Sequence, residues 1–210
     1  ARIVDVITAR HVLKLAYRGH HEPATVKPDQ HTHEDGKAGV DPHIWLDPDN
    51  AIAISQLITR ELIAADAENA SSYGSNASRM ISEIRSLDLE LKAELAAITG
   101  MQYLVHHDGY QYFEAHFGLT RPSVISQTAH QSPGARRVRT MRQRITSTNA
   151  RCVFTEPQFP PRLAIALTSG SDARLVELDP IGANLDPGPN AYLEMMRNMA
   201  RAFTKCLSLS

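Results

Sequence analysis

The feature that most constrains the fold is a long run of helical periodicity over residues 70–98. Apolar residues recur there at steps of three and four positions, and polar or charged residues fill most of the positions between them. This spacing predicts one amphipathic helix, because residues three or four apart lie on the same helix face. At 1.5 Å per residue it is about 40 Å long. A single small lobe does not need such a helix, so we expect it to run between two lobes.

A second helix is predicted to begin at residue 48. Asp47 is a favourable N-cap and Pro48 suits the first helical position. The apolar stripe that would face the core consists of Ile54, Leu57, Ile58 and Leu62.

The residues before this helix predict the end of a lobe followed by a loop. A buried strand is predicted over residues 3–7, and a short helix carrying His11 follows it. Because nothing precedes that strand, we expect part of the first lobe to be missing. Residues 18–41 are rich in glycine, proline and charge, which predicts a loop. Four histidines lie in it, His20, His21, His31 and His33.

From residue 101 onward, short apolar runs alternate with helical segments. The runs predict strands at 103–107, 123–126, 152–155 and 175–178. Such alternation is typical of a parallel sheet with helices on both faces. The predicted class is therefore α/β, with two lobes of parallel sheet flanked by helices and joined by one long rigid helix. The predicted division is an incomplete first lobe at 1–69, the linking helix at 70–99 and a second lobe at 100–210.

Composition excludes several classes of function. With 22 basic and 23 acidic residues the formal net charge is −1, which gives no electrostatic case for nucleic acid or for an anionic membrane surface. No apolar run is long enough for membrane insertion. Five arginines do cluster over residues 136–144. We expect a solvated helix face there, with contact to a partner as the alternative.

Side chains able to bind metal follow three of the four predicted strands. They are His107, Glu156 and Asp179, and in an open parallel sheet ligands bind beyond the carboxyl ends of the strands. His43, from the first lobe, is framed by Pro42 and Trp45 in a way that suits a rigidly held ligand. Taken alone, His43 would be interpreted as a surface histidine at a helix entry.

Four motifs, in this order, resemble one known family: DPHIWLDP, HHDGYQYFEAHFGL, CVFTEPQF and LDPIGANL. The family is the ZnuA type of metal-binding receptor, the zinc-binding component of bacterial ABC uptake systems. The resemblance covers nearly the whole chain. It implies two α/β lobes joined by a long helix and a monomeric periplasmic protein. Such a protein would capture Zn²⁺ and deliver it to an inner-membrane ABC permease.

The resemblance also implies roles for particular residues. His43 and His107 correspond to zinc ligands, and Asp179 to a position where some relatives supply a carboxylate. An imidazole at position 107 favours zinc, since manganese-type relatives tend to carry a carboxylate there. His106 is expected to be a strand residue. The histidines of the 18–41 loop resemble an accessory metal-binding insertion.

One histidine ligand of the family has no counterpart in this chain. The family places it early in the first lobe, and nothing in residues 1–17 matches its context; we do not assign His11 to that role. Zinc prefers four ligands. The others would then come from Asp179, Glu156, water or another chain.

The two cysteines, Cys152 and Cys206, leave two alternatives open on composition, buried thiols or a disulfide. The resemblance implies a disulfide and an oxidising compartment.

We therefore expect a binding module and not an enzyme, because no nucleophile is evident. Two alternatives remain. One is a zinc-dependent hydrolase with Glu156 as general base, which zinc-dependent turnover would reveal. The other is a surface adhesin of the same family.

Overall fold

The computed structural model describes residues 2–18, 39–125, 135–147, 150–158 and 162–208. Its helices are α1 Pro48–Ala65, α2 Ala70–Leu95, α3 Gln111–Phe117, α4 Ala135–Ser147, α5 Arg162–Thr168 and α6 Ala191–Leu207. Its strands are β1 Tyr103–Val105, β2 Ser123–Val124, β3 Cys152–Thr155 and β4 Arg174–Glu177. Short 3-10 turns lie at Val6–Thr8, Ile44–Leu46, Ala67–Asn69 and Ala96–Ile98. The predicted α/β class, a parallel sheet flanked by helices, is confirmed.

The four strands form one parallel sheet in the order β2-β1-β3-β4. Successive side chains of a strand point to opposite faces, so Tyr103 and Val105 face one side of the sheet and Leu104 the other. The Tyr103 face packs in one core with side chains of α2, α3 and α6. The Leu104 face packs in a second core with α4 and α5. Helices therefore cover both faces.

The next strand is added on opposite sides of the sheet after β1 and after β3. From β1 the chain passes through α3 to β2, on one side, and after returning to β3 it continues through α5 to β4 on the other side. The loops that leave the carboxyl ends of β1 and β3 therefore diverge. In open α/β sheets this switch point is where ligands bind.

The predicted long helix is confirmed as α2 with the short turn that follows it. Four of its side chains are completely buried against the core: Ile84, Leu87, Leu91 and Leu95. The other long helix, α1, begins at the predicted N-cap, where Asp47 accepts a hydrogen bond from the Asp49 N–H (2.8 Å). None of the helices described in the structure has the length and apolar character needed to cross a bilayer.

The apolar stripe predicted for α1 is only partly buried. Leu57 is buried, but Ile58 and Leu62 are 45% and 42% exposed. Asn50, instead, is completely buried and bonds through its side chain to the backbone of Leu13 and Ile44. The stripe prediction fails because it assumes a neighbour on that face. The described part of the chain leaves Ile58 and Leu62 largely uncovered.

The strand and helix predicted for the first residues are both wrong. Asp5 caps a 3-10 turn by accepting the Ile7 N–H (3.1 Å), and Ile3 is almost fully exposed. His11 has a φ of 68°, which ends any helix there. Downstream, the Leu15 N–H donates to the Tyr112 hydroxyl (2.9 Å). Side chains of a near residue, Asp5, and of a distant one, Tyr112, thus accept hydrogen bonds that the local pattern assigned to regular structure.

A disulfide joins Cys152 in β3 to Cys206 in α6, the pair that the resemblance implied. Both residues are buried, and their Cα atoms lie 6.0 Å apart. The bond ties the sheet to the C-terminal helix across 54 residues. Closing a loop of that size stabilises the fold by about 4 kcal/mol in the chain-entropy model.

His116 of α3 links two other helices. Its Nδ1 lies 3.1 Å from Asp47 at the start of α1, and its Nε2 lies 2.7 Å from Asp88 in α2. Burial disfavours the charged ring. The hydrogen bonds and negative charges of the two carboxylates outweigh burial, so the pKa of His116 is raised above its usual value. A protonated His116 therefore holds α1, α2 and α3 together.

This arrangement predicts a pH-dependent loss of stability in His116→Asn. Because folding raises the pKa, the stabilisation is fully present below the unfolded pKa of about 6.5 and disappears as pH rises through the folded pKa. We expect the free energy of unfolding to fall by roughly 1–3 kcal/mol at about pH 5.5. The loss should shrink at about pH 8.5. Urea denaturation at both pH values measures it.

His11→Asn is the matched control, because His11 is exposed and asparagine tolerates its positive φ. A deficit in His116→Asn that is the same at both pH values would contradict the charged bridge.

Candidate metal centre

His43 is held rigidly by the chain on both sides of it. Its backbone N–H donates to Asp41 (3.0 Å), and the 3-10 turn that follows buries Ile44 and Leu46 in the core. Trp45 donates from its indole N–H to the Pro180 carbonyl (2.8 Å) and accepts the Tyr192 hydroxyl on its own carbonyl (3.1 Å). The segment is thereby fixed against the loop after β4 and against α6.

His107 lies at the switch point, two residues beyond the end of β1. Gly109 comes directly after His107 and Asp108, and its N–H donates to the His107 carbonyl (3.0 Å). A β-carbon at position 109 would overlap the His107 imidazole, including its Cε1 atom at 2.9 Å. His106, expected in the strand, lies one residue past its end and is buried. Burial lowers the pKa of His106.

The two rings face each other across the cleft. Nε2 of His43 and Nε2 of His107 are 3.3 Å apart. Nδ1 of His43 lies 2.6 Å from Asp41, and Nδ1 of His107 lies 2.5 Å from Glu156. Because an ionised carboxylate can only accept, we assign the ring proton to Nδ1 in both histidines. Both Nε2 lone pairs are then available at the same point, as in histidine ligands oriented by carboxylates.

The separation of the two nitrogens matches tetrahedral coordination of zinc. Zinc–nitrogen bonds of 2.0–2.1 Å at a tetrahedral angle place the nitrogens about 3.3–3.4 Å apart. The observed 3.3 Å lies at the short end of this range. The spacing of the two nitrogens is therefore compatible with both imidazoles binding one ion.

The carboxylate behind His43 is itself fixed. Asp41 is buried, Gln111 donates to its second oxygen (2.7 Å), and the Tyr112 hydroxyl donates to its carbonyl (3.0 Å). Burial raises the pKa of Asp41, but hydrogen bonds from the side chain and backbone of His43 and from Gln111 outweigh it, and the net pKa lies below the usual value. Asp41 therefore stays ionised and keeps the Nδ1 proton of His43 in place.

Asp179 follows β4 at the same edge of the sheet. One of its oxygens accepts the Asn184 N–H (3.0 Å), and the other is buried with no hydrogen-bond partner among the described residues. Tyr110, whose ring lies 6.0 Å from that of His107, has its pKa raised by burial first, then by Glu156 and more weakly by Asp179. The buried oxygen of Asp179 fits a carboxylate that accepts a cation, since buried polar atoms normally have a partner.

Comparison with known proteins matches residues 2–206 to the family described as "Zinc-uptake complex component A periplasmic". The chain belongs to this family. The "High-affinity zinc uptake system protein ZnuA" of Brucella suis is 39% identical over 168 residues, which cover 80% of this chain and 50% of that protein. The chain spans about half the length of the curated relatives it matches.

Solved structures of similar proteins share the fold of this chain. A crystal structure of ZnuA superposes with a TM-score of 0.73 at 23% identity, covering 84% of this chain and 63% of that one. The solute-binding protein FpvC of Pseudomonas aeruginosa, in complex with Mn²⁺, has a TM-score of 0.76 at 21% identity, covering 97% and 70%. At such identities the likeness shows the fold alone.

The structure brings some of the site residues predicted from the sequence together, and it does not describe the others. His43, His107 and Glu156 meet at the switch point, and Asp179 lies on the same edge of the sheet. The loop histidines at 20, 21, 31 and 33 lie outside the described residues.

Among the described residues, the three possible ligands whose donor atoms all lie within 4.8 Å of one another are Asp47, Asp49 and His116, and Asp179 does not form such a group with His43 and His107. Both ring nitrogens of His116 already bond to carboxylates, Asp47 and Asp88. This group is therefore explained as a structural bridge between helices.

Sequence reasoning missed two residues of the site, Asp41 and Gly109. Asp41 stands two positions before His43, a spacing at which an aspartate side chain reaches the backbone N–H of the later residue. That signal is present in the D-P-H triplet. Gly109 has no such signal, because the ring that excludes a β-carbon is positioned by the tertiary structure.

The close approach at Gly109 predicts that Gly109→Ala displaces the His107 ring. The Nε2 pair would lose its spacing, so we expect affinity for Zn²⁺ to fall by roughly tenfold or more. Calorimetric titration with a competing chelator measures this change. Gly74→Ala in α2 is the control, since a β-carbon there meets nothing within 4 Å. Equal zinc affinity in the two variants would show that the ring is not constrained by Gly109.

Proposed function

We propose that this chain is the zinc-binding receptor of an ABC uptake system, located in the periplasm, which captures Zn²⁺ and delivers it to an inner-membrane permease. The observation that supports the proposal is the pair of Nε2 atoms 3.3 Å apart, with both Nδ1 atoms held by carboxylates. The names of the relatives agree with it.

His43 and His107 are the proposed protein ligands, and Asp179 is the proposed third. Two imidazoles and one carboxylate suit zinc better than harder ions, which prefer oxygen ligands. Water can complete the tetrahedron. The histidines of the 18–41 loop are proposed as an accessory zinc-binding segment.

The surroundings of Glu156 favour a receptor over a hydrolase. A hydrolytic zinc site needs a general base beside an open coordination position. Glu156 was the candidate base, but it is buried and its carboxylate lies 2.5 Å from Nδ1 of His107. In that position it orients a ligand, as carboxylates behind metal-bound histidines commonly do.

The ligands come from two parts of the chain that the proposed division separates. His43 belongs to the first-lobe segment 1–69 and His107 to the second lobe at 100–210, with the linking helix at 70–99 between them. The two parts are bonded directly, through Trp45 to Pro180 and through Asp41 to Gln111. Because these bonds flank the metal site, they help to hold the two histidine rings at their spacing. Preorganisation of this kind improves affinity.

The proposal predicts that His43→Ala and His107→Ala each weaken zinc binding by roughly tenfold or more, because each removes a direct ligand. Isothermal titration of metal-free protein, with a chelator competing for zinc, measures the change. His11→Asn is the control, since His11 is exposed and distant in sequence from both ligands and asparagine tolerates its positive φ. Thermal denaturation of each variant checks that the fold persists.

Unchanged affinity in either ligand variant would refute the assignment of that residue. The hydrolase alternative has a different signature. It requires zinc-dependent ester or peptide turnover that Glu156→Gln abolishes, whereas a receptor binds zinc with no turnover at all.

A further inference from the structure

Charge is strongly segregated along this chain, although the net charge is nearly zero. Residues 121–174 contain nine arginines and only two carboxylates, Glu156 and Asp172. The remaining residues contain thirteen basic and twenty-one acidic side chains. Formal charges of +7 and −8 therefore belong to different parts of the molecule. The net charge of −1, which by itself gives no electrostatic case for an anionic membrane surface, hides this separation.

The fold places the basic part in a layer of its own. Helices α4 and α5 cover the sheet face opposite to α2, α3 and α6. Met141 and Ile145, on the inner side of α4, are buried against the sheet, whereas Arg136 and Arg139 are exposed on its outer side. Arg142 reaches across to α5 and donates to the Ser169 carbonyl (2.7 Å). The two helices thus form one continuous outer surface.

The outer side of α5 adds a cation and an apolar side chain. Arg162 is exposed, and Ile165, three residues later on the same helix face, is 54% exposed. We define the basic layer as the outer surface carrying Arg136, Arg139, Arg142, Arg162 and Ile165.

Among the described residues, the ion pairs of the structure do not include the four arginines of the basic layer. Glu156 is buried beside His107 on the edge of the sheet and does not neutralise this surface. The positive charge of the layer is therefore directed outward, where it can act on a partner.

We propose that the basic layer binds the surface of a bilayer that contains anionic lipid headgroups. The charges lie along helices of 13 and 7 residues and do not converge on a point, which suits a plane of charge better than a single anionic ligand. An exposed isoleucine among arginines suits the boundary between headgroups and acyl chains. The acidic remainder of the molecule is repelled by the same surface, so the electrostatic dipole orients the chain with the basic layer toward the lipid.

The expected strength is that of a weak, reversible contact. Each basic residue near an anionic surface contributes about 1 kcal/mol, a factor of about five in affinity. Four arginines and one apolar side chain keep a protein near the membrane without anchoring it. Salt screens such an interaction over about 10 Å at 0.1 M ionic strength.

Sedimentation with sucrose-loaded vesicles tests the proposal. At low ionic strength the chain should pellet with vesicles of equimolar phosphatidylglycerol and phosphatidylcholine, and it should remain in solution with phosphatidylcholine alone. The triple variant Arg136→Gln, Arg139→Gln, Arg162→Gln should bind the anionic vesicles roughly a hundredfold more weakly.

A matched triple variant separates the surface from the net charge. Arg60→Gln, Arg85→Gln, Lys205→Gln removes three exposed cations from α1, α2 and α6, and it changes the total charge equally. We expect it to bind anionic vesicles at least as well as the unmodified chain does.

Three outcomes would overturn the proposal. The first is the absence of pelleting with anionic vesicles, and the second is an equal loss of binding in both triple variants. The third is self-association without vesicles, seen by sedimentation velocity and abolished only by the first triple variant. That result would make the acidic part of a second copy the partner. None of these measurements involves zinc, so their failure leaves the proposed function standing.

Discussion

The site depends on two hydrogen bonds between a carboxylate and an imidazole. Asp41 and Glu156 each accept the Nδ1 proton of one histidine, and this single choice of tautomer leaves both Nε2 lone pairs free to point at one position. Without those carboxylates the rings could rotate or exchange tautomers, and the 3.3 Å spacing would have no reason to persist.

The rest of the fold holds the two carboxylate–imidazole pairs next to each other. The sheet places His107 and Glu156 just beyond the ends of the adjacent parallel strands β1 and β3, at the switch point where the loops diverge. The segment carrying Asp41 and His43 is bonded to that half through Gln111 and Pro180. His116 connects three helices, and the disulfide joins the sheet to α6. The long helix α2 takes part in these contacts through its buried C-terminal half, which acts as a rigid support.

The structure confirms the sequence predictions where local chemistry and burial agree. The Asp47-Pro48 start of α1 and the period of α2 are local signals, and tertiary contacts reinforce them. The strand and helix predicted for the first residues were wrong because local pattern and tertiary contacts disagree there. Their apolar pattern suggested a strand and a helix, but Asp5, Asn50 and Tyr112 take over their backbone hydrogen bonds. His43 and His107 could be named from motifs, whereas the role of Gly109 could not.

By itself, the sequence determined the α/β class and the long helix, because strand alternation and helical period are properties of neighbouring residues, and its motifs predicted His43 and His107 as ligands. The tertiary structure decided the rest. It paired Glu156 with His107 across 49 positions, left one oxygen of Asp179 without a partner among the described residues, and placed four exposed arginines on the outer side of α4 and α5. Distances between residues far apart in the chain, and the charge on a particular face, follow from packing and cannot be obtained from local pattern or net composition.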